Sequence, residues 1–275
     1  MLGIIAGGGA LPRAVAESAA ESGRPVFVMA VEGSVDAGWV EKFPHAFAGV
    51  GEVGKALKAL SGAGVKDVLF AGRVERPKFS SLKLDAKGMM VLPKVVAAAR
   101  KGDDALLRTM LGIFEEGGFR SLSVAEAAPG LVAQPGALGK LAPNAEQQQD
   151  IDAGLRIVRA MGTLDVGQAA VVCDGLALAV EAAEGTDAMI ARVGTLREAL
   201  RGTPSHRRGV LVKALKPTQD AKTDMPVIGA ETVRACAAAG LAGIAVEAGK
   251  SLIVGKGAVA AEADRLGLFV SGFVS

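Results

Sequence analysis

The stretch Ile4-Ile5-Ala6-Gly7-Gly8-Gly9-Ala10-Leu11-Pro12 runs from apolar residues into a glycine turn and then meets a proline. A short apolar run bounded by glycines reads as a buried strand, and proline is well placed in the first turn of a helix. Leu2–Ile5 is therefore a strand and 12–21 a helix, closed by Ser22-Gly23. The alternation continues. Pro25–Val31 and Ala46–Val50 read as strands, Val53–Leu60 as a helix stopping near Gly62, and Val68–Ala71 as a strand. The run from Leu84 to Glu116 is largely helical, with a break near Gly102. Strands that alternate with helices imply crossover connections and a parallel sheet, so the fold class is α/β.

The composition then shifts. Pro129-Gly130, Pro135-Gly136, Gly139 and Pro143 crowd a short span. Such clusters mark linkers, which divides the chain into domains over 1–130 and 145–275 with a linker over 131–144. Asn144 suits the cap of a helix over Ala145–Met161. Beyond it lie strands over Ala169–Cys173, Ala177–Glu181, Gly209–Ala214, Gly243–Val246 and Leu252–Val254. Helices follow Thr186 and cover Glu231–Ala239 and Ala258–Leu266, so the second domain is mixed α/β.

Bulk properties exclude several functions. Of 275 residues, 50% are hydrophobic and 22% charged, the balance of a globular protein. A net charge of +2, 4% aromatics and no Tyr leave neither a basic stripe nor a stacking platform, so no nucleic-acid partner is expected. Cys173 and Cys236 sit in apolar segments without a CxxC pair, which predicts free buried thiols, no zinc site and a reducing cytoplasm. No basic leader precedes the first strand, so no signal peptide is expected. The longest apolar runs, such as Val95–Ala99 and Leu176–Val180, are far shorter than a membrane span.

Several motifs carry chemistry. A glycine turn entering a helix exposes N–H groups beside a positive helix end, which suits phosphate. Gly7 and Gly9 fit a GxGxxG dinucleotide fingerprint, but Pro12 takes the third glycine's place. Glu32, ending the second strand, stands where a ribose-binding acid would. An NAD-dependent oxidoreductase thus stays open beside plain phosphate binding. Gly51-Glu52-Val53-Gly54-Lys55 lacks Walker A spacing, and Ala56 offers magnesium no hydroxyl, so a P-loop ATPase is excluded. Arg73 ends a strand of the parallel sheet, where ligands bind. Asp103 or Asp104 would cap the following helix, leaving Lys101 to face a ligand. Asp165-Val166-Gly167-Gln168 precedes an apolar strand, and Gly185-Thr186-Asp187 opens a helix. The densest cluster runs from Lys213 to Asp224. Its lysines Lys213 and Lys216 can neutralise phosphate, and its aspartates Asp220 and Asp224 can hold metal or orient water. His45 and His206 lie in a linker-like segment and a surface turn, so a general base is expected to be a carboxylate. No GxSxG elbow supports a serine hydrolase.

In order along the chain, IAGGGALP within Ile4–Pro12, GEVGKALKAL at 51–60, FAGRVERP at 70–77 and AARKGDDALLR at 98–108 resemble the UDP-2,3-diacylglucosamine pyrophosphatases of the LpxI type. DVGQAAVV at 165–172, AEGTDAMI at 183–190, KPTQD at 216–220 and TDMPVIG at 223–229 extend the resemblance over almost the whole length. It implies a Rossmann-like N-terminal domain, a distinct C-terminal α/β domain, and a ligand between them. It also implies hydrolysis of UDP-2,3-diacylglucosamine to UMP and 2,3-diacylglucosamine 1-phosphate (lipid X) in lipid A biosynthesis, with Mg2+ or another divalent cation. The family's essential aspartate falls on Asp224, taken here as catalytic and as metal ligand, with Asp220 second. Lys222 and Met225 depart from the arginine and leucine expected beside it. Substrate-binding candidates are Gly8, Gly9, Ala10, Arg73 and Lys101 in the first domain. In the second they are Gln168, Thr186, Asp187, Lys213 and Lys216. An apolar cleft near 89–99 would take the acyl chains. The resemblance further implies a cytoplasmic protein peripheral to the inner membrane, and admits a homodimer. A non-catalytic nucleotide-sugar-binding protein is the alternative from another class.

Overall fold

The structure, a computed structural model, describes residues 1–74, 82–216 and 225–275. They form two compact units, Met1–Gly130 and Leu131–Ser275.

Unit 1 contains β1 (Leu2–Ala6), α1 (Leu11–Glu21), β2 (Val26–Val31), α2 (Ala37–Val40), β3 (His45–Ala48), α3 (Val53–Gly62) and β4 (Asp67–Ala71). It continues through α4 (Ala86–Ala99), α5 (Asp103–Glu116), β5 (Arg120–Ser121) and α6 (Val124–Ala127). The strands lie in the order β3-β2-β1-β4-β5, and every pairing is parallel. β1 is buried along its whole length because helices cover both faces. Ile5 packs with Phe27, Met29, Leu60 and Phe114 in one cluster. On the other face, Val15, Ala16 and Ala19 of α1 are fully buried. The helical run of the sequence resolves into α4 and α5. The cap position of α5 is Gly102 at φ +123, and Asp103 and Asp104 are the first two helical residues, not the cap position expected of them.

The strand order reverses between β1 and β4, the place where open parallel sheets bind ligands. Glycine lets the two strand ends touch there. The Gly7 N–H donates to Ala71 O at 2.8 Å, and Gly8 and Arg73 exchange both backbone bonds at 2.7 and 2.9 Å. Gly72 has φ +87, and a Cβ on it would lie 2.6 Å from Gly8 O and 2.7 Å from Pro12 Cγ.

Unit 2 contains β6 (Gly136–Ala137), α7 (Ala145–Thr163), β7 (Ala169–Cys173), β8 (Leu176–Val180), α8 (Gly185–Gly194), β9 (Val210–Lys213) and β10 (Val227–Ile228). After these come α9 (Ala230–Ala238), β11 (Gly243–Glu247), β12 (Leu252–Ile253), α10 (Lys256–Leu266) and β13 (Phe269–Phe273). Six strands form a mixed sheet in the order β6-β13-β11-β9-β7-β8, and β10 pairs with β12 apart from it. β9, β11 and β13 run parallel, β7 runs against β9, and β8 against β7. The carboxyl ends of β8, β9, β11 and β13 therefore share one edge with the start of β7. Residues 131–144 count within this unit, with Ala133 hydrogen-bonded to Ser251 and Gly249.

α7 begins with a reciprocal cap, in which Asn144 Oδ1 accepts from Gln147 N and Gln147 Oε1 accepts from Asn144 N. Its Ile151 and Val158 pack on one sheet face. The other face packs against Met189 and Ile190 of α8, Val233 and Cys236 of α9, and Val259 and Ala263 of α10.

Two expected outcomes follow from this packing. Gly72→Ala is expected to lower stability by about 1–3 kcal/mol, because it places a side chain in left-handed backbone against Gly8 and Pro12; urea unfolding measures it. Cys173 and Cys236 are buried free thiols, both pushed above their ordinary range by burial. Neither should react with an aromatic disulfide reagent in the native protein, and both should react in denaturant. Rapid native labelling would contradict the packing.

Candidate functional site

Lys213 closes β9, and its side chain is only 4% exposed. Its Nζ donates to Thr186 Oγ1 at 2.9 Å and to Val227 O at 3.2 Å. Thr186 lies in the first turn of α8 and donates from Oγ1 to Glu181 Oε1 at 2.6 Å. Glu181 follows the end of β8, and its Oε2 accepts the Gln168 backbone N–H at 2.9 Å. The sheet register explains why these residues meet. Ala169 pairs with Lys213 and Ala170 with Val180, so the start of β7 and the ends of β8 and β9 lie side by side. Gly167 permits the approach, since a Cβ there would collide with Glu181 O. The hydrogen-bond directions are forced. An ammonium only donates and a carboxylate only accepts, so the hydroxyl must receive from Lys213 and give to Glu181.

A second charged centre occupies the same edge. Glu247 ends β11 and is 2% exposed. Lys250 Nζ donates to its Oε1 at 2.8 Å, Leu215 N to its Oε2 at 3.2 Å, and the Ser275 hydroxyl also donates to it. Burial pushes the Glu247 carboxyl up, but these partners together hold it below its ordinary value. Glu247, Arg159, Leu215, Lys216 and Lys250 line a cavity of about 300 Å³. Lys216 Nζ also binds Asp165 Oδ1 at 2.8 Å. Three cations facing one compensated carboxylate make this cavity receptive to an anion. Asp220 and Asp224 lie outside the described residues; the chain enters their stretch from Lys216 and leaves it at Met225.

The remaining candidates are distributed as follows. Gln168, Thr186 and Lys213 come together in one buried line, while Lys216 lines the neighbouring cavity. The Gln168 side-chain Oε1 is buried without a hydrogen-bond partner among the described residues. Asp187 is exposed in the first turn of α8. In unit 1, the Gly8 amide is spent on Arg73 O, which leaves the amides of Gly9 and Ala10 without a backbone partner among the described residues. They precede α1, whose cap residue Ala10 supplies no side-chain bond. Arg73 is exposed beside this turn. Lys101 lines a separate cavity of about 600 Å³ between α4 and α5, with Lys94 and Arg108. Glu32 is paired with Lys55 at 3.3 Å, so the carboxylate of the NAD reading already has a cationic partner.

Sequence reasoning passed over Glu181 and Glu247. A signal existed in both cases: each is the first acid after an apolar strand, in LALAVE and GIAVE. An acid at the carboxyl end of a buried strand has to find a partner at that edge.

Residues 1–131 match the LpxI N-terminal domain and residues 134–271 the LpxI C-terminal domain. The UDP-2,3-diacylglucosamine pyrophosphatase LpxI of Caulobacter vibrioides is 51% identical over 271 residues, which cover 98% of this chain and 96% of that protein. With both domains matched in order and a relative aligned nearly end to end, the chain belongs to the LpxI family.

Proposed function

We propose that this protein hydrolyses UDP-2,3-diacylglucosamine to UMP and 2,3-diacylglucosamine 1-phosphate, a step of lipid A biosynthesis. The observation that carries this reading is the 51% identity, over 98% of the chain, to a pyrophosphatase named for that substrate. In the reaction a water oxygen forms a bond to one phosphorus and the bridging P–O bond breaks. The bridging oxygen leaves on the other phosphate, and the excess proton passes to solvent. The protein has little covalent chemistry to perform; its task is to place the diphosphate and neutralise the charge that develops on it.

The carboxyl edge of unit 2 is suited to that task. Lys213 and Lys216 supply positive charge next to the stretch that carries Asp220 and Asp224. Lys250 and Arg159 add cations to the adjacent cavity. In unit 1, Gly9 and Ala10 offer amides at the start of α1 that suit a phosphate oxygen. Asp224 is the carboxylate that orients water or metal, with Asp220 second.

The reading includes a magnesium ion. Magnesium takes hard oxygen ligands, commonly one or two carboxylates with substrate phosphates and water. Among the described residues no three His, Cys, Asp or Glu side chains converge. Glu181 and Glu247 are committed to Thr186 and Lys250. The family resemblance puts the protein ligand at Asp224, and oxygens of the substrate diphosphate and water would supply the remaining ligands. When bound, the ion draws charge from the phosphate oxygens.

Among the described residues no helix is long and apolar enough to cross a membrane. A diacyl substrate still has to leave a lipid surface, and the reading makes the protein a peripheral visitor to the inner face of the cytoplasmic membrane. Met89 and Met90 of α4, 59% and 75% exposed, offer apolar contact for that visit.

Asp224→Ala is expected to lower UMP release by roughly 100-fold or more while keeping affinity for UDP-2,3-diacylglucosamine within a few fold; chromatography and equilibrium binding measure the two. A wild-type protein that binds this lipid and releases no UMP is a binding protein, not a hydrolase. Chelation of divalent cations should stop turnover and added magnesium restore it. Undiminished turnover in chelator would overturn the metal assignment.

A further inference from the structure

We propose that Glu181 is a positioning residue for Lys213, acting through the Thr186 hydroxyl. The inference rests on the reading of Lys213 as a phosphate-neutralising cation and adds what aims that cation. Lys213 and Glu181 are 4% and 6% exposed, and Thr186, 9% exposed, lies between them and bonds to both. Each end of the line is anchored. Glu181 Oε2 is held by the Gln168 N–H, and its own N–H binds Ala169 O at 2.9 Å. Lys213 Nζ also reaches Val227 O in β10, just beyond the stretch that carries Asp224.

Both Glu181 oxygens accept from donors, which makes the carboxylate hard to replace. A glutamine has one acceptor and one NH2 group. If its oxygen faces Thr186, its NH2 meets the Gln168 N–H. If its NH2 faces Thr186, the hydroxyl accepts from both neighbours and its own proton loses the acceptor that the carboxylate supplied. Either arrangement disturbs a line that the acid satisfies throughout.

Among the described residues, the titratable groups of the elements packed around Lys213 are engaged as follows. Cys236 of α9 senses both Lys213 and Asp187 of α8, and burial holds that thiol protonated. Glu247 ends the neighbouring strand, with its oxygens engaged by Lys250, Ser275 and the Leu215 amide. Lys216 is paired with Asp165.

The test is the pH dependence of kcat and KM for UDP-2,3-diacylglucosamine hydrolysis in Glu181→Gln, Thr186→Val, Thr186→Ser and Lys213→Met, with a thermal melt of each. Glu181→Gln and Thr186→Val should lower kcat by about 10- to 100-fold, the range in which a supporting partner acts on a functional group, with KM little changed. Both should move the basic limb of the kcat profile to lower pH, because loss of the carboxylate or of its link makes the ammonium easier to deprotonate. Thr186→Ser should return the limb to its wild-type position. Loss of melting temperature with a raised KM and an unmoved limb would overturn the proposal in favour of a purely structural role. If Lys213→Met abolishes turnover while Glu181→Gln and Thr186→Val behave as wild type, the positioning role fails and the Lys213 reading survives. If Lys213→Met keeps full turnover, both fail.

Discussion

An ammonium group at the end of a buried strand has to be compensated, and the local structure of unit 2 is organised by that requirement. Lys213 is 4% exposed at the end of its strand, and removing such a charge from water costs several kcal/mol unless it is paired and hydrogen-bonded. The compensation depends on the antiparallel β7–β8 hairpin, which folds back beside β9. The hairpin brings Glu181 to the edge, and the chain then enters α8, which sets Thr186 between acid and lysine. The same edge repeats the solution at β11, where Lys250 and the Leu215 amide compensate Glu247. A sheet that gathers the carboxyl ends of four like-directed strands thereby collects buried charge at one edge.

Unit 1 meets a different constraint. Its β1 and β4 ends are joined by backbone bonds so close that Gly7 and Gly72 leave no space for side chains, and Gly8 is crowded by Ser34 O. The triple glycine therefore has a structural role in the sheet. Its first two members hold the sheet's switch point together, and the amides of Gly9 and Ala10 are left without a backbone partner among the described residues.

Most of the architecture was legible because its periodicity is local. Apolar runs bounded by glycine gave β1, β2, β7, β9 and β11, and Asn144 announced the start of α7 through a cap that the structure contains. The parallel first sheet followed from strand–helix alternation. β13 did not stand out, because Ser271 and Gly272 interrupt a short apolar run that becomes a strand only by pairing with β11. β6 is two residues long and exists only through its pairing with β13. At the site, Lys213 and Thr186 drew attention individually, but their connection did not. It depends on register, 27 residues apart in sequence, and no local pattern encodes it. Glu181 escaped for the same reason, since its role is defined by Thr186 and Gln168 and not by its own neighbours in the chain.

The central claim is that this chain cleaves a diphosphate and that unit 2 supplies the charge for it. Phosphorus NMR of UDP-2,3-diacylglucosamine incubated with the protein and magnesium tests it most directly. The account predicts that the coupled diphosphate resonances disappear and are replaced by two phosphomonoester signals, those of UMP and of the sugar 1-phosphate. Diphosphate resonances that persist unchanged with folded, lipid-bound protein would contradict it.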